Sequence, residues 1–343
     1  MAPSVSMELV LAAFILCCKI AGTQAIGVNY GRIADNLPAP DAVAQLVKSQ
    51  NIGMVRIFDA DPAAIQAFAR QGIPVAITLG NGEIAGVASS QAAADGWIAG
   101  NVMPYGSIVS VVIVGNEVIK YNPELNPQLV PAMNNIYTSL VNMGVASRVK
   151  VSTAHAMDIL DANAAFPPSA GMFRSDIGGS VMQPVLDFLA RTGSYLLVNA
   201  YPYFAYRDDK GQNLALDYSL LQPGAAGFDD SNSGLHYSNL LDAQLDTVYS
   251  AMRKLNHDDV GIVLSESGWP SAGDFGASLD NAATFNRNLI QRVAANAGTP
   301  LKPNTPVQAY IFSLFNENQK PGVTEQNFGV FRPDMSKVYD ITF

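Results

Sequence analysis

Eight short runs rich in Val, Ile and Leu recur along the chain, at 25–30, 54–58, 74–79, 108–115, 148–153, 195–200, 261–265 and 307–314. Each is too short for a helix, and each has the β-branched character of a strand buried on both faces of a parallel sheet. Between most of them lie stretches of helical period, among them Asp41–Lys48, Leu240–Leu255 and Asn281–Ala297. Strand and helix alternating eight times over roughly 300 residues predict an α/β fold, a (β/α)8 TIM barrel. A doubly wound open sheet usually carries a Gly-rich phosphate loop after its first strand, and Gly31-Arg-Ile-Ala-Asp35 does not supply one. No linker rich in Ser, Pro or Gly divides the region 26–343, so a single domain is expected there. Asp41, after Pro40, is placed to cap its helix. The polar, Gly-rich stretch Tyr203–Tyr237 reads as an elaborated loop after the sixth strand.

The N-terminus reads as a signal peptide over residues 1–25. Leu9–Cys18 is apolar throughout, and Thr23-Gln24-Ala25 offers the small residues of a cleavage site. Ten apolar residues are about half of what spans a bilayer, so a cleaved signal is favoured over a membrane anchor. Cys17 and Cys18 would leave with it, which excludes a disulfide, a cysteine nucleophile and a thiolate metal site from the remainder. His155, His236 and His257 are scattered without ligand spacing, so neither metal nor cofactor is expected. His155, at the end of a strand-like run, reads as a buried, hydrogen-bonded side chain or as part of a cleft wall. A net charge of −9 without basic clusters argues against nucleic acid and anionic membranes as partners. The chain has no Asn-x-Ser/Thr acceptor for N-glycosylation.

Two glutamates carry the chemistry. Glu117 closes Ile108-Val-Ser-Val-Val-Ile-Val-Gly-Asn-Glu117, and Glu266 sits in Gly261-Ile-Val-Leu-Ser-Glu-Ser-Gly-Trp-Pro270. In a barrel the C-terminal strand ends meet on one face, so residues of the fourth and seventh strands can share a cleft. Paired carboxylates are the equipment of glycoside hydrolysis, one as acid/base and the other as nucleophile or base. Asn116 could offer its amide to a sugar 2-hydroxyl. Tyr30, Tyr201, Tyr203, Trp269 and Phe312 lie at or just past strand ends, where flat rings can stack on sugars.

Five segments in this order resemble plant glycoside hydrolase family 17, the glucan endo-1,3-β-glucosidases. They are Ile26-Gly-Val-Asn-Tyr-Gly31, Val114-Gly-Asn-Glu-Val118, Asn199-Ala-Tyr-Pro-Tyr203, Leu264-Ser-Glu-Ser-Gly-Trp-Pro-Ser271 and Phe315-Asn-Glu-Asn-Gln-Lys320. The resemblance runs from Ile26 to Phe343. It implies a (β/α)8 barrel and retaining hydrolysis of 1,3-β-glucan, with Glu117 as acid/base and Glu266 as nucleophile. The signal segment makes secretion to the cell wall or extracellular space the expectation, and a monomer in a setting such as plant defence is expected. Matching the eighth-strand motif brings Glu317 and Lys320 to the cleft, with Glu325 nearby, the alternative being a surface ion-pair cluster. Two other activities stay open: a catalytically silent glucan-binding wall protein, and a transglycosylase or mixed-linkage 1,3-1,4-β-glucanase on the same scaffold.

Overall fold

The computed structural model describes residues 25–343, so the apolar run Leu9–Cys18 and nearly all of the expected signal peptide lie outside the described residues. Eight strands form the barrel: β1 (Gly27–Tyr30), β2 (Met54–Ile57), β3 (Val75–Leu79), β4 (Val109–Asn116), β5 (Lys150–Ala156), β6 (Tyr195–Asn199), β7 (Gly261–Ser267) and β8 (Ala309–Ile311). They close in the order β1-β8-β7-β6-β5-β4-β3-β2, and every pairing is parallel. All eight expected strands are present. The last is shorter than expected, although Phe312 N still donates to Ser267 O and Leu314 N to Asn29 O, each at 2.8 Å. Among the described residues no helix is long and apolar enough to cross a membrane.

Alternation along the strands divides the apolar residues between two cores. Ala76, Val111, Ile113, Ala154, Leu197, Val263 and Tyr310 fill the barrel interior, with Met54 and Tyr195 packed beneath them. The alternate residues, such as Val55, Ile77, Val112 and Val198, pack outward against the helices. Gly27 is needed for this filling: a Cβ there would lie 2.7 Å from Met54 Cγ and 2.8 Å from Tyr310 Cε1. Full burial of each branched side chain contributes about 1.5–3 kcal/mol, and the two layers together make the barrel a packed core with its openings only at the ends.

The helices begin where the sequence offers a cap. Asp61, Asn239 and Ser278 each accept from a backbone N–H at the start of Pro62–Gln71, Leu240–Lys254 and Leu279–Ala294. Asp41 departs from expectation. The helix Pro40–Ser49 starts at Pro40, whose missing N–H needs no partner, and Asp41 instead pairs with Arg70 of the next helix. The stretch 203–237 is also more ordered than a loop. It holds the helix Pro202–Asp209, a turn of helix at Leu216–Ser219, and a ribbon pairing Phe228–Asp229 with His236–Tyr237. The first helix buries Pro202, Tyr203 and Tyr206 on one side, an aromatic face masked in the sequence by the polar run Arg207-Asp-Asp-Lys210.

Candidate active site

At the C-terminal end of the barrel a cleft of about 1050 Å³ runs over the strand mouths. Glu117, Glu266, Asn116, Tyr201, Phe312, Glu317, Lys320 and Glu325 all line it. Two breaks in strand register bring the glutamates there. Between β4 and β5 the partners step from Ile113↔Ser152 to Asn116↔Ala154, which places one extra residue on β4. Between β6 and β7 they step from Val198↔Leu264 to Asn199↔Glu266, which places the extra residue on β7, and β8 registers the same insertion. Such bulges re-aim the residues after them. Without the second, alternation from inward-facing Val263 would turn Ser265 and Ser267 into the barrel and Glu266 out. Glu117 then takes a left-handed backbone, φ 50° and ψ 40°, which lets it and Asn116 both face the cleft although they are adjacent.

A buried polar cluster fixes the two carboxylates relative to each other. Asn199 Nδ2 donates to Glu117 Oε1 at 2.8 Å and to Glu266 Oε1 at 2.9 Å. Two bonds meeting at one nitrogen hold those oxygens within about 6 Å of each other, whatever the angle between them. Asn199 is oriented in turn by its own carbonyl, which accepts from Ser265 Oγ at 2.6 Å and Arg56 Nη1 at 3.4 Å. Glu266 takes two further donors, Arg56 Nη1 at 2.9 Å and Tyr201 Oη at 2.8 Å. Arg56 Nη2 also reaches Asn116 Oδ1 at 2.6 Å, so the Asn116 carbonyl is occupied and its NH₂ is left for a ligand.

Burial pushes the Glu266 carboxyl above its ordinary value, and the Glu117 charge adds to this, while Arg56 and the Tyr201 hydroxyl pull it back. Arg56 is completely buried, so the pair sits where a charge without its partner costs several kcal/mol. Burial and the adjacent Glu266 together hold the Tyr201 hydroxyl far above the usual phenol range, which keeps it a donor.

On the β8 side, Glu317 pairs with Lys320 at 3.3 Å and accepts from Ile33 N at 2.8 Å. The Lys320 ammonium lies 4.0 Å from the Phe312 ring centre. Glu317 is only 2 % exposed, so these residues form part of the cleft floor rather than a solvated surface cluster. Glu325 lies beside them, its carboxyl raised by burial. Gly31 makes room for this arrangement, because a Cβ there would overlap the Glu317 carboxylate.

Three expected sugar platforms are elsewhere. Tyr30 is buried edge-on against Phe68 and Phe315, on the outward side of β1. Trp269 is fully buried among Tyr203, Tyr206 and Phe285, with its indole N–H on Gly276 O at 2.8 Å. Tyr203 shares that core. A position near a strand end did not distinguish them from cleft residues, because a strand presents neighbouring residues to opposite sides. His155 is buried on the outward face of β5 and neither ring nitrogen meets a protein partner, so it is neither a cleft residue nor the hydrogen-bonded imidazole expected. Burial alone lowers its ring to about 4.

Sequence reasoning missed Arg56 and Asn199. Arg56 had a signal, since a charge inside the apolar run Met54–Phe58 needs a buried partner. Phe58, Phe204 and Phe328 supply the aromatic wall in place of Tyr30 and Trp269.

The cleft adjoins two further cavities. It shares Met157, Asp158 and Gln244 with one of about 860 Å³, walled by Phe166, Tyr218 and Phe228. It shares Pro321 and Glu325 with another of about 470 Å³ beside Arg207 and Val323.

Known proteins share this architecture. Glucan endo-1,3-beta-glucosidase 14 of Arabidopsis thaliana is 42% identical over 340 residues, 97% of this chain and 85% of that one. Glucan endo-1,3-beta-glucosidase GV of Hordeum vulgare is also 42% identical, over 92% of this chain and 98% of that one. Among solved structures, CJP38, a beta-1,3-glucanase and allergen of Cryptomeria japonica pollen, superposes with a TM-score of 0.88 at 43% identity, covering 93% of this chain and 99% of that one. The family model for glycosyl hydrolases family 17 matches residues 26–343, from the first barrel strand to the C-terminal residue, and the chain belongs to that family.

Proposed function

We propose that the protein is a retaining endo-hydrolase of 1,3-β-glucan that works through Glu117 and Glu266. The observation that carries this reading is the single Asn199 nitrogen bonded to both carboxylates. Retaining glycosidases hold their carboxyls about 5–5.5 Å apart, whereas inverting ones need about 6.5–9.5 Å to admit a water. The two Oε1 oxygens, held within about 6 Å of each other, support the closer, retaining arrangement. The glucan linkage is taken from the relatives, which are named for it.

Each glutamate's surroundings suit one role. Glu266, held by a guanidinium, a phenol and an amide, is the nucleophile: its oxygen forms a bond to the anomeric carbon as the glycosidic bond breaks. The electron pair of that bond goes to the leaving oxygen, which takes the proton of Glu117. Glu117 then removes a proton from water, the water oxygen bonds to the anomeric carbon, and Glu266 leaves with its electron pair. The Asn116 amide, its carbonyl engaged by Arg56, is available to a sugar hydroxyl beside the reacting carbon.

A cleft that adjoins two further cavities supports internal cleavage of a polymer. The decisive measurement is product analysis on laminarin beside lichenan. Early release of a ladder of oligosaccharides from laminarin, with the β-anomer formed first, is expected. A transglycosylase would give products longer than the substrate, a mixed-linkage enzyme would prefer lichenan, and a silent binding protein would release nothing.

We further infer that the chain is secreted to the extracellular space or cell wall and loses residues 1–25. The support is the apolar run Leu9–Cys18 followed by Thr23-Gln24-Ala25. The mature N-terminus, read by mass spectrometry on secreted protein, should be Ile26.

A further inference from the structure

We propose that Lys120 is a charge-tuning residue of the reaction, an ammonium that holds Glu117 in its ionised, base-competent form. This rests on the reading of Glu117 as acid/base. The left-handed backbone at Glu117 starts the turn Val118–Tyr121, which folds Lys120 back until its Nζ lies 3.4 Å from Glu117 Oε2. The other oxygen, Oε1, is already bound to Asn199. The proton exchanged with substrate and water therefore rides on Oε2, the oxygen that Lys120 approaches.

The surrounding charges make that ammonium consequential. Asp158 faces Glu117 from the end of β5, Glu266 from β7 and Glu325 from beyond β8, while Tyr201 and Asn199 on the β6 side carry no charge. Of the other cations, Arg56 from β2 acts on Glu266, Lys320 on Glu266 and Glu325, and Arg207 on Glu325. Three carboxylates thus surround Glu117, and Lys120 is the cation in contact with it. Burial works against the Lys120 charge, but Glu117 and Tyr121 more than offset this and leave its amine above the ordinary value. The pair differs from an exposed i,i+3 ion pair because the Glu117 side chain is only 11% exposed, so water screens it weakly. The Lys120 side chain is 43% exposed and rests 4.9 Å from the Tyr121 ring.

The test is the pH dependence of kcat/KM on laminarin for the wild type, Lys120→Met and Lys120→Arg. Activity on a natural glucan falls at high pH as Glu117 loses the proton it must donate. In Lys120→Met this alkaline limb should move up by about one pH unit, the low end for loss of an opposite charge at this distance. Lys120→Arg should keep the limb of the wild type, and unchanged Tm in both variants would show that the fold is intact. An unmoved limb in Lys120→Met, or a raised KM with no movement of the limb, would overturn the proposal in favour of an ordinary surface contact or a sugar contact. Glu117→Gln separates the two levels: if it retains wild-type activity and its alkaline limb, the acid/base reading itself fails, and the role of Lys120 with it.

Discussion

The two glutamates are the same residue type at the ends of strands of the same barrel, and their surroundings differ in nearly every respect. Glu266 arrives through a bulge within its strand and is buried, with Arg56, Asn199 and Tyr201 donating to it. Glu117 follows a bulge by adopting a left-handed backbone, and holds one amide and one part-exposed ammonium. The proposed division of roles, one carboxyl fixed as nucleophile and the other gaining and losing a proton, matches this asymmetry. On that reading, supporting residues rather than the glutamates themselves divide the labour.

The largest expected effect separates the two directly. Glu266→Ala should lower kcat on laminarin by about 10⁴-fold or more while preserving Tm, and azide should restore turnover with an α-linked product. Glu117→Ala should cost about 10²–10⁴-fold on laminarin and far less on an aryl glucoside whose leaving group needs no proton. Equal losses on both substrates would erase the distinction.

Arg56→Met tests the support under Glu266. Removing the cation leaves a buried carboxylate uncompensated, so Glu266 should hold its proton to higher pH. The acid limb of kcat/KM, where activity falls as Glu266 is protonated, should therefore move up, with about 3–5 kcal/mol of stability lost at neutral pH. A limb that stays in place would mean that Asn199 and Tyr201 suffice.

Trp269→Ala asks whether the ring acts on substrate or on packing. Removing a fully buried indole should destabilise the fold by about 3–5 kcal/mol, while the rise of rate with laminari-oligosaccharide length keeps its shape. Phe204→Ala, on the cleft wall, should flatten that rise. The reverse pattern would return Trp269 to the sugar.

The smallest effect concerns His155, on the outer layer away from the carboxylates. Its folded-state value of about 4 lies below the unfolded value near 6.5, so between these the unfolded chain binds more protons and stability falls as pH drops. His155→Leu should remove up to about 3 kcal/mol of that loss near pH 4, read as a flatter plot of unfolding free energy against pH. An unchanged slope would show that the ring takes up its proton without penalty.

The barrel was legible because eight buried parallel strands leave a strong apolar signature, and all eight were located. Legibility failed where the signal depends on side. Tyr30 and Trp269 were read as cleft residues because strand ends are visible in sequence, whereas the direction a ring faces is set by register. Glu266 itself shows the difficulty: alternation counted from Val263 turns it outward, and only an inserted residue brings it in. Asn199 stood within a segment that resembled the family, yet its role emerges only when two strands and two carboxylates meet. The helix Pro202–Asp209 was missed because its buried face is made of tyrosines set among charges.

The cavities that adjoin the cleft extend it beyond the carboxylates. A long cleft of this kind suits cuts at interior bonds rather than at a chain terminus. A viscous glucan solution should therefore thin almost at once, its mean molar mass collapsing while reducing sugar is still scarce.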